Sequence, residues 1–371
     1  MMKYIRINIV ISIFLAMVLT GCMKDSNSPV TPNFTSSAEL LTFIELNRNV
    51  MNLEVNYPAM IVDELFDNLN NYLVIDIREK SLFVQGHIEG AKNIDQKEIP
   101  DYLKSADLTG KTKIVVVGLT GQDAAYVTCL LRLAGYENSF YLDYGMGYWN
   151  KAFSEPWVKG KGFYSARNYN RFSYSKKGYS SLPEVVYSDA NSLNEKINSR
   201  INSCLEKGYD GIKTNMKDTY TNYFDYGSNS FSGCFVICYG PQFMYDGPTG
   251  YGGLLGHPAS SVLYNPGTDF KSTTYLQTLP AGAPVIIYSL NGQQGAYLSA
   301  YLQFLGYDAR NIDFGAWSLW GFTGFIKRNM PGVKNPIDYF SNNYTSYGYW
   351  LSDASNLGLS IVRDYPFVTG E

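Results

Sequence analysis

"KIVVVGLTGQDAAYVTCLLRLAGYENSFYLDYGMGYW", residues 113–149, lies over "APVIIYSLNGQQGAYLSAYLQFLGYDARNIDFGAWSLW", residues 283–320. Each stretch opens with a short apolar run rich in β-branched residues and breaks at a Gly-marked turn. Each then turns rich in Ala, Leu and Tyr at helical spacing and stops at Gly-Tyr. That pattern reads as a buried strand, a loop and a helix with a glycine C-cap. Gly118 falls on Ser289, Gly121 on Gly292, Gln122 on Gln293, Gly135 on Gly306, Tyr136 on Tyr307 and Trp149 on Trp320, always 171 positions apart. Loops at such junctions turn backbone N–H groups inward and tend to hold an anion or a reactive side chain.

A second pair supports the same reading. "YLVIDIREKSLFVQGHIEGAKNI" (72–94) and "CFVICYGPQFMYDGPTGYGGLLGHPASSVLYNP" (234–266) each run from a strand through a loop to a Gly-His pair. The chain's two histidines, His87 and His257, are 170 apart. The chain is an internal duplication with an insertion before His257. Strands are expected at 73–77, 114–117, 234–238 and 284–288. Helices are expected at 123–134 and 294–305, with lead-in helices at 59–71 and 190–206. The fold class is α/β: two domains, each a small, mostly parallel sheet with helices on both faces.

"LVIDIRE…F..GHIEGAKNI", followed by strand, loop, helix, Gly-Tyr and a Trp-containing end, resembles a rhodanese-like domain. The resemblance covers about residues 59–155 well and about 183–327 more weakly. It implies sulfane-sulfur transfer through a cysteine persulfide, with the Cys first in the loop between strand and helix. That position falls on Gly118 in the first copy and on Ser289 in the second. Gly carries no nucleophile. A serine oxygen has a far higher pKa than a thiol, and no His or Lys stands nearby in sequence as its base. The basic loop residues common in active members are replaced by Leu119, Gln122 and Asp123, then by Leu290, Gln293 and Gln294. Asp123 would oppose an anionic substrate. No catalytic residue is assigned; Cys238 is the fallback thiol, since it ends a strand near where loops gather. The candidate ligand-binding loops are Gly118, Leu119, Thr120, Gly121, Gln122 and Asp123, and Ser289, Leu290, Asn291, Gly292, Gln293 and Gln294. Asp76, Arg78, His87 and His257 are read as structural. Cys238 and Gly240 stand where the first copy has Asp76 and Arg78.

The N-terminus reads separately. Lys3 and Arg6 precede the apolar run "INIVISIFLAMVL", which ends in Leu19-Thr20-Gly21-Cys22. This resembles a bacterial lipoprotein signal, with Cys22 the acylated first residue of the mature chain. The alternative, a transmembrane anchor, needs ~20 apolar residues. Residues 1–21 are then a signal peptide and 22–36 a polar tether. Residues 37–157 form the first domain, 158–182 a linker, 183–328 the second domain and 329–371 a tail expected to pack back on the body. The expected location is the bacterial envelope, lipid-anchored and extracytoplasmic, on the outer rather than the inner membrane.

The 30 basic and 33 acidic side chains give a net charge of −3, and loss of residues 1–21 removes Lys3 and Arg6 and no acid. That balance excludes a nucleic-acid footprint. Two histidines in separate units and no carboxylate–Cys cluster make a metal site unexpected, and no cofactor is called for; Cys-x-x-Cys-His, the c-type haem motif, is absent. Cys129, Cys204, Cys234 and Cys238 are read mainly as buried thiols; a Cys204–Cys234 disulfide stays open, whereas Cys234 and Cys238 lie ~13 Å apart along one strand. Three functions remain. The first is a non-catalytic tandem module binding a partner protein or small anionic ligand at the envelope. The second is a sulfurtransferase with a relocated nucleophile. The third is an accessory of an electron-transfer or surface assembly, with its 32 tyrosines as contact surface.

Overall fold

In the computed structural model, the described residues are 34–48, 50–53, 58–159, 169–170, 172–187, 192–246, 256–320 and 362–371. The signal peptide and Cys22 lie outside them, as do 160–168 of the linker and 321–361 of the tail.

The apolar runs form two five-stranded sheets. The first contains β1 (Ala59–Met60), β2 (Tyr72–Asp76), β3 (Lys92–Asn93), β4 (Lys113–Val117) and β5 (Ser139–Leu142), in the order β1-β5-β4-β2-β3. The second contains β6 (Lys213–Thr214), β7 (Phe235–Tyr239), β8 (Val262–Tyr264), β9 (Val285–Tyr288) and β10 (Ala309–Ile312), in the order β6-β10-β9-β7-β8. Every pairing is parallel. The two orders are the same order, five numbers apart, so the duplication is one of topology as well as sequence. The central strands read as continuous apolar runs because both faces are covered: Ile75, Val115, Val116, Ile237 and Ile287 are fully buried.

Helix α2 (Gln122–Leu133) follows β4, α3 (Leu193–Lys207) precedes β6, and α4 (Gln293–Phe304) follows β9. Both close with a Schellman pattern. Gly135 N–H donates to Arg132 O and Tyr136 N–H to Leu131 O; Gly306 and Tyr307 repeat this onto Gln303 and Leu302. Gly135 and Gly306 have φ of 104° and 93°, the left-handed values this cap needs. Beyond that cap the structural offset is 170, because Ile114 pairs with Ser139 while Val285 pairs with Ala309. Trp320 is therefore not the counterpart of Trp149, against the sequence alignment. The turn before β5 is one residue longer than the turn before β10.

α2 and α4 lie against each other. All twelve residues of α4 are buried, and all of α2 except Asp123, the polar Gln122, Thr128, Arg132, Gln293, Ser299 and Gln303 among them. The sheet halves consequently belong to one compact unit, Asn33–Glu371. Tyr297 on α4 donates to Val50 O, and Tyr126 on α2 donates to Cys204 O, tying each helix into the other half.

Three segment readings need correction. The polar tether ends before residue 36: Phe34–Ser36 pairs antiparallel with Glu184–Val186. Helix α1 (Ser37–Asn47), grouped by sequence with the first domain, bonds to the second half through Glu39–Lys196 and through Glu45 with Ser272. Leu40, Leu41 and Ile44 need apolar cover, and burying them fixes the helix there. The linker is partly structured: Tyr169–Asn170 pairs with His257–Pro258, and Lys176 reaches Asp269.

The end of the tail packs on the first half. His87 and Val368 exchange backbone hydrogen bonds, Trp149 Nε1 donates to Pro366 O, and Arg363 forks onto Asp63. Each Gly-His segment is thus paired with a strand from the chain that leaves the other copy. Among the described residues no helix is long and apolar enough to cross a membrane.

Candidate functional site

The loop after β4 and the loop after β9 each deliver a Gly, Gly121 and Gly292, into the first turn of a helix. Their first residues are the positions that would carry a nucleophile. At Gly118 the side-chain space is taken: a Cβ built there would overlap the Asp123 carboxylate. Asp123 Oδ1 accepts from Ala124 N–H at 2.9 Å. Desolvation of Asp123 raises its pKa to about 6, and the nearby Asp76 and Asp210 carboxylates push the same way.

The second copy fills the same space differently. Ser289 is fully buried, and its Oγ accepts from Gly295 N–H at 3.0 Å. Gly295 is 171 positions after Ala124. One helix-start N–H is therefore satisfied by a carboxylate in one copy and by a hydroxyl in the other. A thiolate needs a neighbouring cation or open N–H donors to lower its pKa, and here the donor is already bonded.

The loops do not open to solvent side by side. Each receives a glutamine from the other copy. Gln293 is fully buried; its Oε1 accepts from Tyr144 N–H at 2.8 Å, and its Nε2 donates to Asp143 Oδ1 at 2.8 Å. Gln122 mirrors it: its Oε1 accepts from Phe314 N–H at 2.8 Å and lies 3.0 Å from the Tyr209 hydroxyl. The glycines make the crossing feasible, since a Cβ on Gly121 would overlap Gln293 and one on Gly292 would overlap Gln122. Tyr144 and Phe314, the residues whose N–H groups are claimed, have φ of 55° and 57°. Holding a large non-Gly residue there costs about 1–2 kcal/mol, so these turns persist because their surroundings fix them.

The twelve loop positions named from sequence thus come together in space, as two loops facing one another. Gly121, Gln122, Leu290, Asn291, Gly292, Gln293 and Gln294 are buried, while Leu119 and Thr120 are half-buried. What sequence reasoning missed is the crossing, and with it Asp143, Asp313 and Tyr209, which complete the polar contacts. The available signal was Gln at the same loop position in both copies.

The four described cysteines carry no activated thiol. Cys238 does not end its strand; it sits inside β7, fully buried, and desolvation pushes its pKa far up. This corrects its reading as a fallback thiol at the end of a strand where loops gather. Cys129 is fully buried on α2 with its pKa also far up, Cys204 is buried and raised, and half-buried Cys234 is pushed up to about 12. All four are free thiols, so the Cys204–Cys234 bridge is not formed.

The structural quartet holds joints. Arg78 Nε and Nη2 fork onto the Asp76 carboxylate at 2.9 and 2.6 Å, and Nη2 also reaches Gly86 O at 2.8 Å. His87 Nδ1 lies 2.9 Å from Phe83 O with its ring stacked on Phe83. His257 lies between Tyr245 O (2.8 Å) and Phe172 O (2.9 Å); burial lowers its pKa against the pull of those carbonyls. Among the described residues no group of three or more His, Cys, Asp or Glu is placed to hold a metal ion.

A family model described as a rhodanese-like domain matches residues 61–152. Thiosulfate sulfurtransferase GlpE of Pseudomonas entomophila is 30% identical over 89 residues, which are 24% of this chain and 79% of that protein. Its counterpart in Pseudomonas aeruginosa is 30% identical over 92 residues, 25% of this chain and 82% of that protein. Among solved structures, a rhodanese-related protein from Thermoplasma volcanium is 24% identical, covering 27% of this chain and 92% of its own, with a TM-score of 0.23.

Proposed function

Because the chain belongs to the rhodanese family, we propose that it is a non-catalytic member, a tandem module tethered to the bacterial envelope by a lipid on Cys22. Sulfur transfer through a persulfide needs a cysteine thiolate that attacks the sulfane sulfur and expels sulfite. The observation that carries the reading is the occupied sulfur seat. The Asp123 carboxylate fills the space of a Gly118 side chain, and Ser289 Oγ with its Gly295 donor fills the twin. The crossed Gln122 and Gln293 add a polar lock over both loops. What remains is a rigid double scaffold, able to present surface to a partner protein or to hold a small anion away from the loops. The charged start, the apolar run and Leu19-Thr20-Gly21-Cys22 support the lipid anchor.

The sulfurtransferase names of the relatives favour a second reading, in which a thiol elsewhere carries sulfur. Thiosulfate-to-cyanide transfer by purified protein separates the two. The proposal expects turnover at the no-protein level and no added sulfur mass on any internal cysteine after thiosulfate treatment. Turnover lost on Cys238→Ala, or a persulfide on Cys129, Cys204, Cys234 or Cys238, would overturn it. Radiolabelled palmitate incorporation lost on Cys22→Ala checks the anchor independently.

A further inference from the structure

A cleft of about 280 Å³ lies between α1 and the segment 270–273, away from the crossed loops. Its walls mix two chemistries. Ile44, Met51, Phe270 and Tyr301 supply apolar and aromatic surface and are themselves buried at 7% exposure or less. Arg48 and Lys271 supply positive charge. The one carboxylate in the wall, Glu45, is turned to Ser272, accepting from its backbone N–H at 2.6 Å and from its hydroxyl. Among the described residues no carboxylate pairs with Arg48 or Lys271 within ion-pair distance.

Arg48 is held in place. Its guanidinium lies over the Phe43 ring at 5.4 Å, and its Nη1 donates to Asn47 O at 3.0 Å. The head fits because Gly135 opposite has no side chain; a Cβ there would come within 3.2 Å of Nη2. Two cationic side chains, Arg48 and Lys271, beside an apolar cleft are the recognition elements of an anion site.

We propose that this cleft binds a small amphipathic organic anion, with its carboxylate or sulfonate between Arg48 and Lys271 and its hydrocarbon or aromatic body on Ile44, Met51, Phe270 and Tyr301. The volume sits at the low end for ligand pockets, which sets the ligand at roughly a dozen non-hydrogen atoms. A partly shielded pair of cations favours the anion over its neutral isostere by about tenfold. The cleft shares no residue with the sulfur seats, so this inference stands or falls apart from the reading of the chain as non-catalytic.

The test uses the full chain in detergent and titrates 4-ethylbenzoate, its neutral isostere 4-ethylbenzamide and inorganic thiosulfate, followed by ligand-observed NMR and calorimetry. The expected result is saturable 4-ethylbenzoate binding, with the amide and thiosulfate each about tenfold weaker. Lys271→Gln, on an exposed side chain, should weaken the benzoate about fivefold or more, and Arg48→Gln should do at least as much. Lys217→Gln, on a remote helix, should leave it unchanged. The proposal is overturned if 4-ethylbenzoate shows no saturable binding up to about 10 mM. It is equally overturned if the amide binds as well as the acid, or if Lys271→Gln leaves the benzoate affinity intact in a chain with unchanged melting temperature. Sulfur-transfer activity, measured on the same samples, reports on the other proposal.

Discussion

Replacing Asp123 by Asn should stabilise the protein, and only on one side of a defined pH window. The carboxylate is desolvated in the space beside Gly118, where its pKa of about 6 stands against an ordinary 3.8. A group whose folded pKa is raised retains its full stabilising effect below the unfolded pKa and loses it as pH climbs through the folded value. The loss should therefore begin near pH 4 and be complete just above pH 6. A gap of about two units is worth up to about 3 kcal/mol. The amide of Asp123→Asn would keep an oxygen to accept from Ala124 N–H and carry no charge to desolvate. For a chain of this size that difference is about 5 °C in Tm. The assay is thermal unfolding of wild type and Asp123→Asn, lacking residues 1–21, from pH 4 to pH 8. The two curves should meet near pH 4 and separate as pH rises, the variant melting higher. His257, with its lowered pKa, acts in the opposite direction below pH 6.5 but does so equally in both proteins, so the difference curve isolates Asp123. A constant difference across the range, or a less stable variant at pH 8, would refute the argument that an ionised carboxylate sits unwillingly in the space beside Gly118.

Gly118→Cys should destabilise by about 1–3 kcal/mol, because its Cβ overlaps the Asp123 carboxylate, and Gly118→Cys/Asp123→Ala should recover most of that loss in the same melts. Alkylation of native protein by iodoacetamide, read by peptide mass spectrometry, should mark Cys234 slowly and leave Cys129, Cys204 and Cys238 untouched until urea is added, since burial keeps all four protonated at pH 8. Asp63→Asn should cost about 1 kcal/mol at pH 7 after allowance for the exposure of its Arg363 partner, and should free residues 362–371 to limited proteolysis. Asp63 is held at about pKa 2, so its contribution is present above about pH 4 and disappears as pH falls through 2; wild type and variant should converge there.

The parts of the fold written in the sequence are those with enough residues to show a period. β2, β4, β7 and β9 are four or five apolar residues bounded by turns, and α2 and α4 are twelve residues closed by Gly-Tyr. Six of the ten sheet strands were not legible: β5 and β10 are four residues each, with Ser139 in one and Arg310-Asn311 in the other breaking the apolar run. β1, β3 and β6 are two residues long and β8 three, so only their neighbours make them strands. The place of α1 was illegible for a related reason: a helix stripe says what must be covered, not by which copy.

The site divides along the same line. Gly118 and Ser289 could be read as lacking a thiol from their identity alone, but occupancy of their space could not. It depends on Asp123 folding back onto its own helix start in one copy and on Ser289 reaching Gly295 in the other. These are two unrelated side chains at different sequence positions, five residues apart in the aligned loop. Common to both is the N–H they satisfy, at Ala124 and at its counterpart Gly295. A helix start buried against a second helix cannot leave that donor to water. With the crossed glutamines closing the loops, the acceptor comes from inside, and two different oxygens serve. Keeping that hydrogen bond inside is a consequence of the closure, which is why two copies with different residues arrive at one filled space.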